Sequence, residues 1–289
     1  EFGRETTEQM LRAFLREEPL TVRLRGAEEE RARTLQELRK EGAETEKAPY
    51  VREAYYLRKY DRLEKLTAFR EGRLQVQDVS SMLAAAAAAP QPGSLILDLC
   101  AAPGGKSLYL ADLAGEDSLV IARDLTPAKV QLIRDNAARC GIGRIRTEQR
   151  DACEPDPKMA EKADTVLADV PCSGYGVIGR KPDIKYGASA EKEASLRELQ
   201  RRILRNAVSC VKPGSVLLYS TCTVNPAENE ENAEWLAGNF PLEPESLDPY
   251  LPEELRSGNT ARGRLQLLPG IHTCDGFFIA RFRKKEIGR

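Results

Sequence analysis

The amino-acid sequence predicts an α/β protein whose larger part is a doubly wound sheet. From Val76 onward, short runs of apolar and β-branched residues alternate with segments of helical periodicity, which is the pattern of this fold class. Of the 289 residues, 41% are hydrophobic, which is enough for a core of that size. Acidic residues follow several of the apolar runs, as expected where ligands bind at the carboxyl ends of parallel strands.

Six strands and four helices are predicted after Val76. The strands lie at 94–100, 118–124, 144–151, 164–171, 215–222 and 276–282. The helices begin near Gly105, run from Pro127 to about Cys140 and from Ala190 to Val211, and follow Pro226. Proline is tolerated in the first turn of a helix and glycine commonly ends one, so Pro127 and Gly141 delimit the second helix.

Residues 1–75 differ in composition: they are rich in charged residues, and their pattern favours helices. The segment from Ala27 to Gly42 is rich in Glu and Arg at helical spacing, which is typical of a solvated helix face. Between Arg52 and Arg73, basic residues are interleaved with aromatic ones. This mixture suits contact with nucleic acid and equally suits a small packed subdomain, and the pattern leaves both open. We expect one unit at 1–75 and a second at 76–289.

The composition excludes several classes of protein. The 44 basic and 45 acidic residues give a net charge of -1, so the chain is not a uniformly basic nucleic-acid binder, although local basic patches remain possible. No apolar run reaches the ~20 residues of a membrane span, and no signal peptide is visible. The seven cysteines form no Cys-x-x-Cys pair, which predicts reduced thiols and no metal site. The one histidine, His272, is expected in a turn, and its isolation disfavours a hydrolase triad.

A glycine-rich loop follows the first predicted strand, which ends at Asp98. The loop reads Ala101-Ala102-Pro103-Gly104-Gly105-Lys106, and its small residues allow backbone to approach a ligand before a helix N-terminus. A phosphate-binding P-loop would need glycine where Cys100 stands, and the dinucleotide pattern Gly-x-Gly-x-x-Gly is absent as well.

Acidic residues end the next two strands. Asp124 lies 19 residues after Gly105, where a carboxylate can accept hydrogen bonds from ribose hydroxyls. Asp151 is next along the same edge and is placed to meet an adenine amino group. Together with the loop, these carboxylates predict a nucleoside-binding site.

Two cysteines end the fourth and fifth strands. The fourth strand leads into Asp169-Val170-Pro171-Cys172, and the fifth leads into Ser220-Thr221-Cys222. A lone cysteine is usually a buried packing residue. Two at neighbouring strand tips beside an acid instead favour nucleophilic chemistry.

These motifs together resemble the RNA cytosine-C5 methyltransferase family, most closely its bacterial small-subunit rRNA branch (RsmB/Sun). The matching segments are VQDVSS at 76–81, DLCAAPGGKS at 98–107, ADVPCSGYGVIGRKPDIKY at 168–186, YSTC at 219–222, GRLQLLPG at 263–270 and DGFFIARF at 275–282. The stretch PLTVRLR at 19–25 is similar to the start of the family's RNA-binding subdomain. Gly179 departs from the family, which usually has a second basic residue there. The helical N-terminal domain often found in this branch has no match here, so binding to the full target is expected to be incomplete.

The resemblance implies a fold and a role for each site residue. Residues 76–289 would form a Rossmann-like S-adenosylmethionine-dependent methyltransferase domain, and residues 1–75 a small α/β RNA-binding subdomain. Cys222 would be the nucleophile, Cys172 would help release the product, and Asp169 would sit against the cytosine edge. Lys106 would either orient Asp169 or approach the base. The S-adenosylmethionine site would comprise Cys100, Ala101, Ala102, Pro103, Gly104, Gly105 and Lys106 at the methionine and ribose, Asp124 at the ribose hydroxyls, Asp151 at the adenine, and Asp169.

The implied function is methylation of cytosine carbon 5 in RNA, with small-subunit rRNA as the expected partner. DNA cytosine methyltransferases use the Pro-Cys cysteine together with a Glu-Asn-Val motif, which this sequence lacks, so the Thr-Cys pair favours RNA and favours Cys222 over Cys172. The alternatives are a tRNA cytosine-C5 methyltransferase, a non-catalytic RNA-binding ribosome-assembly factor, and an S-adenosylmethionine enzyme with a small-molecule substrate. We expect a cytoplasmic monomer that needs neither metal nor membrane.

Overall fold

The computed structural model describes residues 2–286, so residue 1 and residues 287–289 of the two expected units lie outside it. Its α-helices are α1 (Gly3–Ala13), α2 (Glu28–Lys40), α3 (Thr67–Arg70), α4 (Val79–Ala88), α5 (Gly105–Ala114), α6 (Pro127–Arg139), α7 (Ala190–Cys210), α8 (Glu230–Asn239) and α9 (Gly258–Ala261). Its strands are β1 (Leu20–Leu24), β2 (Glu44–Lys47), β3 (Ala54–Arg58), β4 (Leu74–Val76), β5 (Leu95–Asp98), β6 (Leu119–Asp124), β7 (Ile145–Gln149), β8 (Ala163–Asp169), β9 (Val211–Thr221), β10 (Leu242–Pro244), β11 (Arg264–Leu267) and β12 (Phe277–Lys284).

The larger sheet has eight strands in the order β10-β12-β9-β8-β5-β6-β7, with β11 paired to β12. Strands β5 to β9 pair in parallel, whereas β12 runs antiparallel to β9. All six strands predicted after Val76 are present. The α/β prediction is confirmed, and the sheet also contains β10 and β11, which were not predicted.

Helices cover both faces of this sheet. Ile96 and Leu97 are neighbours on β5 and point to opposite faces, as successive strand residues must. Ile96 packs in a core with Met82 of α4 and Leu108 of α5. Leu97 packs in a second core with Ile203 of α7. The sheet is therefore doubly wound.

The ends of α6 show how local sequence sets these elements. The Thr126 hydroxyl accepts a hydrogen bond from the Lys129 N–H at 3.3 Å, and Pro127 occupies the first turn. Gly141, at φ +64°, follows the helix in the left-handed region that ends helices readily. The predicted bounds of this helix are correct to within one residue.

A second, four-stranded antiparallel sheet forms in the N-terminal quarter, in the order β2-β3-β1-β4. Its core contains Leu24, Leu38, Leu57 and Leu74, each with at most 1% of its surface exposed. The predicted helix at 27–42 is present as α2. The helix-leaning interpretation of residues 1–75 was incomplete, because β2 is charged and largely exposed and so lacks the alternation that identifies a strand.

Ion pairs join the small sheet to α5 of the main domain. Arg25, directly after β1, donates two hydrogen bonds to Asp112 of α5, at 2.9 and 2.8 Å, and Arg23 of β1 adds a third at 2.8 Å. Burial opposes ionisation of Asp112, but its bonds to Arg25 and Arg23 more than offset this and lower its pKa. The contact fixes α5, the helix that follows the glycine-rich loop. Among residues 2–286, no helix is both long and apolar enough to cross a bilayer.

Candidate active site

The loop between β5 and α5 is held in place by its own backbone. The Ala101 N–H donates to the Arg123 carbonyl at 2.8 Å, and the Ala102 N–H donates to Asp124 Oδ2 at 3.0 Å. Gly104 has φ +108°, a conformation in which a side chain would be strained. Asp124 therefore lies directly against the loop, as the sequence predicted for two neighbouring strand ends.

A cavity of about 110 Å³ opens beside this loop. Two buried acceptors in its lining, Asp98 Oδ1 and Gln77 Oε1, have no hydrogen-bond partner in the described part of the chain. Burial raises the pKa of Asp98 to about 7, even though the Ser107 hydroxyl donates to its other oxygen at 2.6 Å. Unpaired buried acceptors are costly, so the cavity suits a ligand that brings N–H or O–H donors.

Lys106, for which the sequence left two roles open, contacts Asp169 in the structure. Lys106 Nζ donates to Asp169 Oδ2 at 2.7 Å, and the Ser220 hydroxyl donates to Oδ1 at 2.7 Å. Burial alone would lower the pKa of Lys106, but the charge and hydrogen bond of Asp169 raise it. The lysine is thus held charged, and the carboxylate of Asp169 is oriented from both sides.

The two strand-tip cysteines are in contact. Cys172 Sγ lies 3.3 Å from Cys222 Sγ, and the carbonyl of Cys222 accepts a hydrogen bond from the Gly176 N–H at 3.1 Å. The hydrogen bond from Cys172 lowers the pKa of Cys222, assisted by the charges of Lys106 and Lys181 and opposed by burial and Asp169. The same hydrogen bond, together with burial, raises the pKa of Cys172. Of the two thiols, Cys222 is therefore the one that ionises more readily.

A buried polar network behind the cysteines was missed by sequence reasoning. Glu228 accepts hydrogen bonds from the Ser173 N–H at 2.9 Å and from Gln200 Nε2 at 2.7 Å. Asn229 donates to the Thr223 carbonyl at 3.0 Å. Glu228 and Asn229 are fully buried, in the segment after Pro226 where the sequence predicted a helix but no site residue. The only available signal was their position, six and seven residues after Cys222.

Several predicted positions lie outside the lining of the cavity, among them Gly104, Asp124, Asp151 and His272. Asp151 is exposed, and its Oδ1 accepts a hydrogen bond from the Cys153 N–H at 2.8 Å. It stays close to Asp124, because the Arg150 N–H donates to the Asp124 carbonyl at 3.0 Å. His272 lies in the turn before β12, where its Nδ1 accepts from the Leu268 N–H at 2.9 Å.

The fold and the loop at the sheet edge define a Rossmann-like S-adenosylmethionine-dependent methyltransferase domain. A methyltransferase homologue from Pyrococcus horikoshii matches 97% of this chain and 91% of its own, with 27% identity and a TM-score of 0.82. NSun6 from the same organism, solved with SFG, has the same fold at 21% identity, with a TM-score of 0.84 over 99% of this chain and 96% of its own.

The family follows from sequence comparison. The model of the family described as 16S rRNA methyltransferase RsmB/F matches residues 85–283, and the chain belongs to this family. The probable ribosomal RNA small subunit methyltransferase B of Bacillus subtilis is 40% identical over 98% of this chain and 64% of its own length. The chain spans 64%, 50% and 45% of the lengths of three curated relatives.

Proposed function

We propose that this protein transfers a methyl group from S-adenosylmethionine to carbon 5 of a cytosine in small-subunit rRNA, with Cys222 as the nucleophile. The observation that carries the proposal is the 3.3 Å contact between the Cys172 and Cys222 thiols beside the Lys106–Asp169 pair. The names of the relatives, small-subunit rRNA methyltransferases, support the choice of substrate. Residues 1–75 are proposed as the subdomain that contacts the RNA.

The groups around the cavity at the sheet edge support this cofactor, of which the cavity of about 110 Å³ would hold one part. S-adenosylmethionine, when bound, supplies an electrophilic methyl group. The backbone of 100–106 would lie along it, Asp124 would accept from the ribose hydroxyls and Asp151 from the adenine amino group. The unpaired acceptors of Asp98 and Gln77 would receive further donors. NSun6, which has the same fold, was solved with SFG, an analogue of this cofactor.

The thiolate is needed because carbon 5 of cytosine is a weak nucleophile. In the proposed reaction, the Cys222 sulfur forms a bond to carbon 6, and the displaced electron pair makes carbon 5 nucleophilic. The Lys106–Asp169 pair lies against the base and draws electrons through N3 by hydrogen bonding. Carbon 5 would then take the methyl group, whose bond to the sulfonium sulfur of the cofactor would break with its electron pair staying on that sulfur.

Release reverses the addition. Carbon 5 loses its proton to a base, the electron pair of that C–H bond restores the carbon 5–carbon 6 double bond, and the carbon 6–sulfur bond breaks to regenerate the Cys222 thiolate. Cys172, in contact with the leaving sulfur, assists this step. The base must leave its stack to reach the site, which costs least in single-stranded or looped RNA.

The test is transfer of labelled methyl groups to unmodified small-subunit rRNA by the wild type, Cys222→Ala and Cys172→Ala. We expect the wild type to label a cytosine, Cys222→Ala to be inactive, and Cys172→Ala to accumulate a covalent protein–RNA adduct. Binding of labelled S-adenosylmethionine should be unchanged in both variants, which separates loss of chemistry from loss of folding. Full activity of Cys222→Ala with an inert Cys172→Ala would assign the nucleophile to Cys172 instead.

A further inference from the structure

A second cavity, of about 320 Å³, lies between the N-terminal segment and the main sheet. Its walls are residues 13–19, the loop 176–180 and the loop 269–275, with Tyr56 and Asp78 completing the lining. It is larger than the cofactor cavity and within the range of ligand pockets. None of the steps proposed above uses it.

The walls of this cavity are closely packed. A Cβ atom on Gly179 would lie 3.2 Å from the Cα of Phe14, and one on Gly270 would lie 3.0 Å from the Cβ of Ala13. Both glycines therefore allow the 13–19 segment to pack directly against the two loops. A side chain at position 179 would require Phe14 to shift by a few tenths of an ångström. The shape of the cavity thus depends on the absence of a side chain at Gly179.

The cavity adjoins the site of chemistry. Gly176 in its lining donates its N–H to the Cys222 carbonyl at 3.1 Å, and its own carbonyl accepts from the Gly276 N–H at 2.9 Å. Asp78 lines this cavity and the cofactor cavity alike. A nucleotide next to a base bound at Cys222 is therefore within reach of the cavity.

The lining is acidic on balance, with four carboxylates, Glu17, Glu18, Asp78 and Asp275, and two guanidinium groups, Arg16 and Arg180. Arg180 is engaged by two carboxylates, with Nε 2.8 Å from Asp275 Oδ1 and Nη2 3.2 Å from Asp78 Oδ2. Burial and the charge of Asp78 raise the pKa of Asp275 to about 6, with a smaller contribution from Glu18. Glu18 has no hydrogen bond or ion pair with any residue in the range 2–286. Such a lining disfavours phosphate and favours groups that only donate hydrogen bonds.

We propose that this cavity binds a guanine base of the RNA, adjacent in sequence to the target cytosine. Phe14 and Tyr56 offer ring surfaces on which an unstacked base can lie, as in other single-stranded RNA sites. Guanine presents N1–H and N2–H side by side, which matches the two oxygens of the Glu18 carboxylate. Uracil has one N–H flanked by two carbonyl oxygens, which a carboxylate repels. The inference rests on RNA being the substrate.

The test is binding of fluorescent RNA hexamers to the whole chain at fixed salt. The probes are UUGCUU and UUCGUU, which place guanine on either side of cytosine, with UUUCUU and UUCUUU as references and UUICUU and UUCIUU, with inosine, lacking the 2-amino group. We expect one guanine probe to bind about tenfold more tightly than its uracil reference, with inosine in between. Glu18→Gln should remove this preference and leave binding of the uracil probes unchanged.

Glu8→Gln is the matched control, because it makes the same charge change on an exposed residue of α1. It should keep the full preference for guanine. The proposal fails if the wild type binds all hexamers equally or not at all, or if Glu18→Gln retains the preference. Methyl transfer to rRNA is scored separately, so loss of that activity with the guanine preference intact would overturn the proposed function and not this site.

Discussion

At the scale of single residues, neighbouring groups shift the pKa values of two identical side chains in opposite directions. The positive charges of Lys106 and Lys181 help to lower the pKa of Cys222, whereas the negative charge of Glu228 helps to raise the pKa of Cys172. Opposite charges favour the thiolate and like charges disfavour it. The largest cause of the difference is their direct contact, because only one of the two can donate the shared proton.

This asymmetry predicts the order of alkylation. At pH 7, iodoacetamide should modify Cys222 before Cys172, since the thiolate is the reactive form. Cys172→Ala removes the hydrogen-bond donor, so the pKa of Cys222 should rise and its alkylation should slow, by about tenfold for each pKa unit. Peptide mass spectrometry over time gives both rates. Faster labelling of Cys172 in the wild type would contradict the assignment.

Asp98 predicts a pH dependence of stability. Its pKa is raised from 3.8 to about 7 by burial, so the folded state holds the proton more tightly than the unfolded state. Between these two values, the wild type should lose stability as the pH rises, by at most about 1.4 kcal/mol per pH unit from this group. Asp98→Asn cannot ionise, and its free energy of unfolding relative to the wild type should increase over the same range.

The measurement is urea denaturation of the protein without cofactor, from pH 4 to pH 8. The exposed Asp117→Asn variant serves as the control, because it removes the same charge from the surface. It should follow the wild type at every pH. If the free energies of unfolding of the wild type and Asp98→Asn differ by the same amount at every pH, Asp98 is ionised throughout this range.

The predicted site residues that the structure brings together belong to contiguous motifs. Asp169 ends β8, Cys172 follows it by three residues and Cys222 directly follows β9, so a parallel sheet brings them to one edge without further information. Glu228 could not be identified in this way. Its burial depends on Gln200 of α7, a partner 28 residues away that only the tertiary structure supplies.

At the scale of elements, one buried arginine joins β12 to the end of α4. Arg281 donates to the carbonyls of Ala87 and Ala88 at 2.5 and 2.9 Å and to Glu245 at 3.0 Å. The last carbonyls of a helix have no partner within the helix, so the guanidinium satisfies groups that burial would otherwise leave unpaired. Burial also lowers the pKa of Arg281 itself.

Replacing Arg281 should therefore be costly. Arg281→Met leaves two buried carbonyls without donors, and we expect a loss of about 2–4 kcal/mol in the free energy of unfolding. Arg283→Met is the matched control, because Arg283 lies on the same strand and pairs with the same Glu245 but is 46% exposed. Its loss should be below about 1 kcal/mol. Equal losses in guanidinium denaturation would mean that the bonds to α4 contribute nothing.

The elements that were predicted are those with a clear period. Strands β5, β6 and β8 are apolar runs on a fully covered sheet, and α6 has recognisable residues at both ends. Strands β10 and β11 have three and four residues, too few for any period to show. They form because each of them pairs with the backbone of β12, and only the tertiary structure brings β12 beside them.

At the scale of the whole molecule, one carboxylate on α5 links the main domain to the small N-terminal sheet. Asp112 takes three hydrogen bonds from Arg23 and Arg25, whose side chains are 2% and 16% exposed. Buried charges need their partners, since an isolated one is far costlier than the pair. The junction thus combines this electrostatic contact with apolar packing, because Ala48, Val51 and Ala54 lie in the same core as Met82 and Leu108.

Asp112→Ala should weaken this junction strongly. It leaves two guanidinium groups without their carboxylate, and we expect a loss of about 3–5 kcal/mol in the free energy of unfolding. Glu116→Ala is the control, because Glu116 also pairs with an arginine, Arg144, but is 88% exposed. It should cost less than about 1 kcal/mol. The measurement is the denaturation curve of the wild type and of each variant. Equal midpoints for all three would show that the junction contributes nothing to the free energy of unfolding.

The general architecture could be predicted from the sequence, but the arrangement of the sheet only in part. Alternation of strands and helices implies parallel pairing and ligand binding at one edge. Strand β12 lies between β9 and β10 and is antiparallel to both, a position that the order of the strands along the chain does not predict. The small N-terminal sheet was implied by resemblance alone, since its strands are short and rich in charge.

The junction at Asp112 also constrains attempts to recombine this protein with its relatives. Asp112 and Lys106 lie on the same helix, six residues or about 9 Å apart along its axis. A grafted N-terminal segment that changes how α5 is seated would therefore also move the Lys106 amine relative to Asp169. Chimeras that retain Arg23 and Arg25 should keep the position of that amine, whereas grafts lacking them would need a compensating change at Asp112.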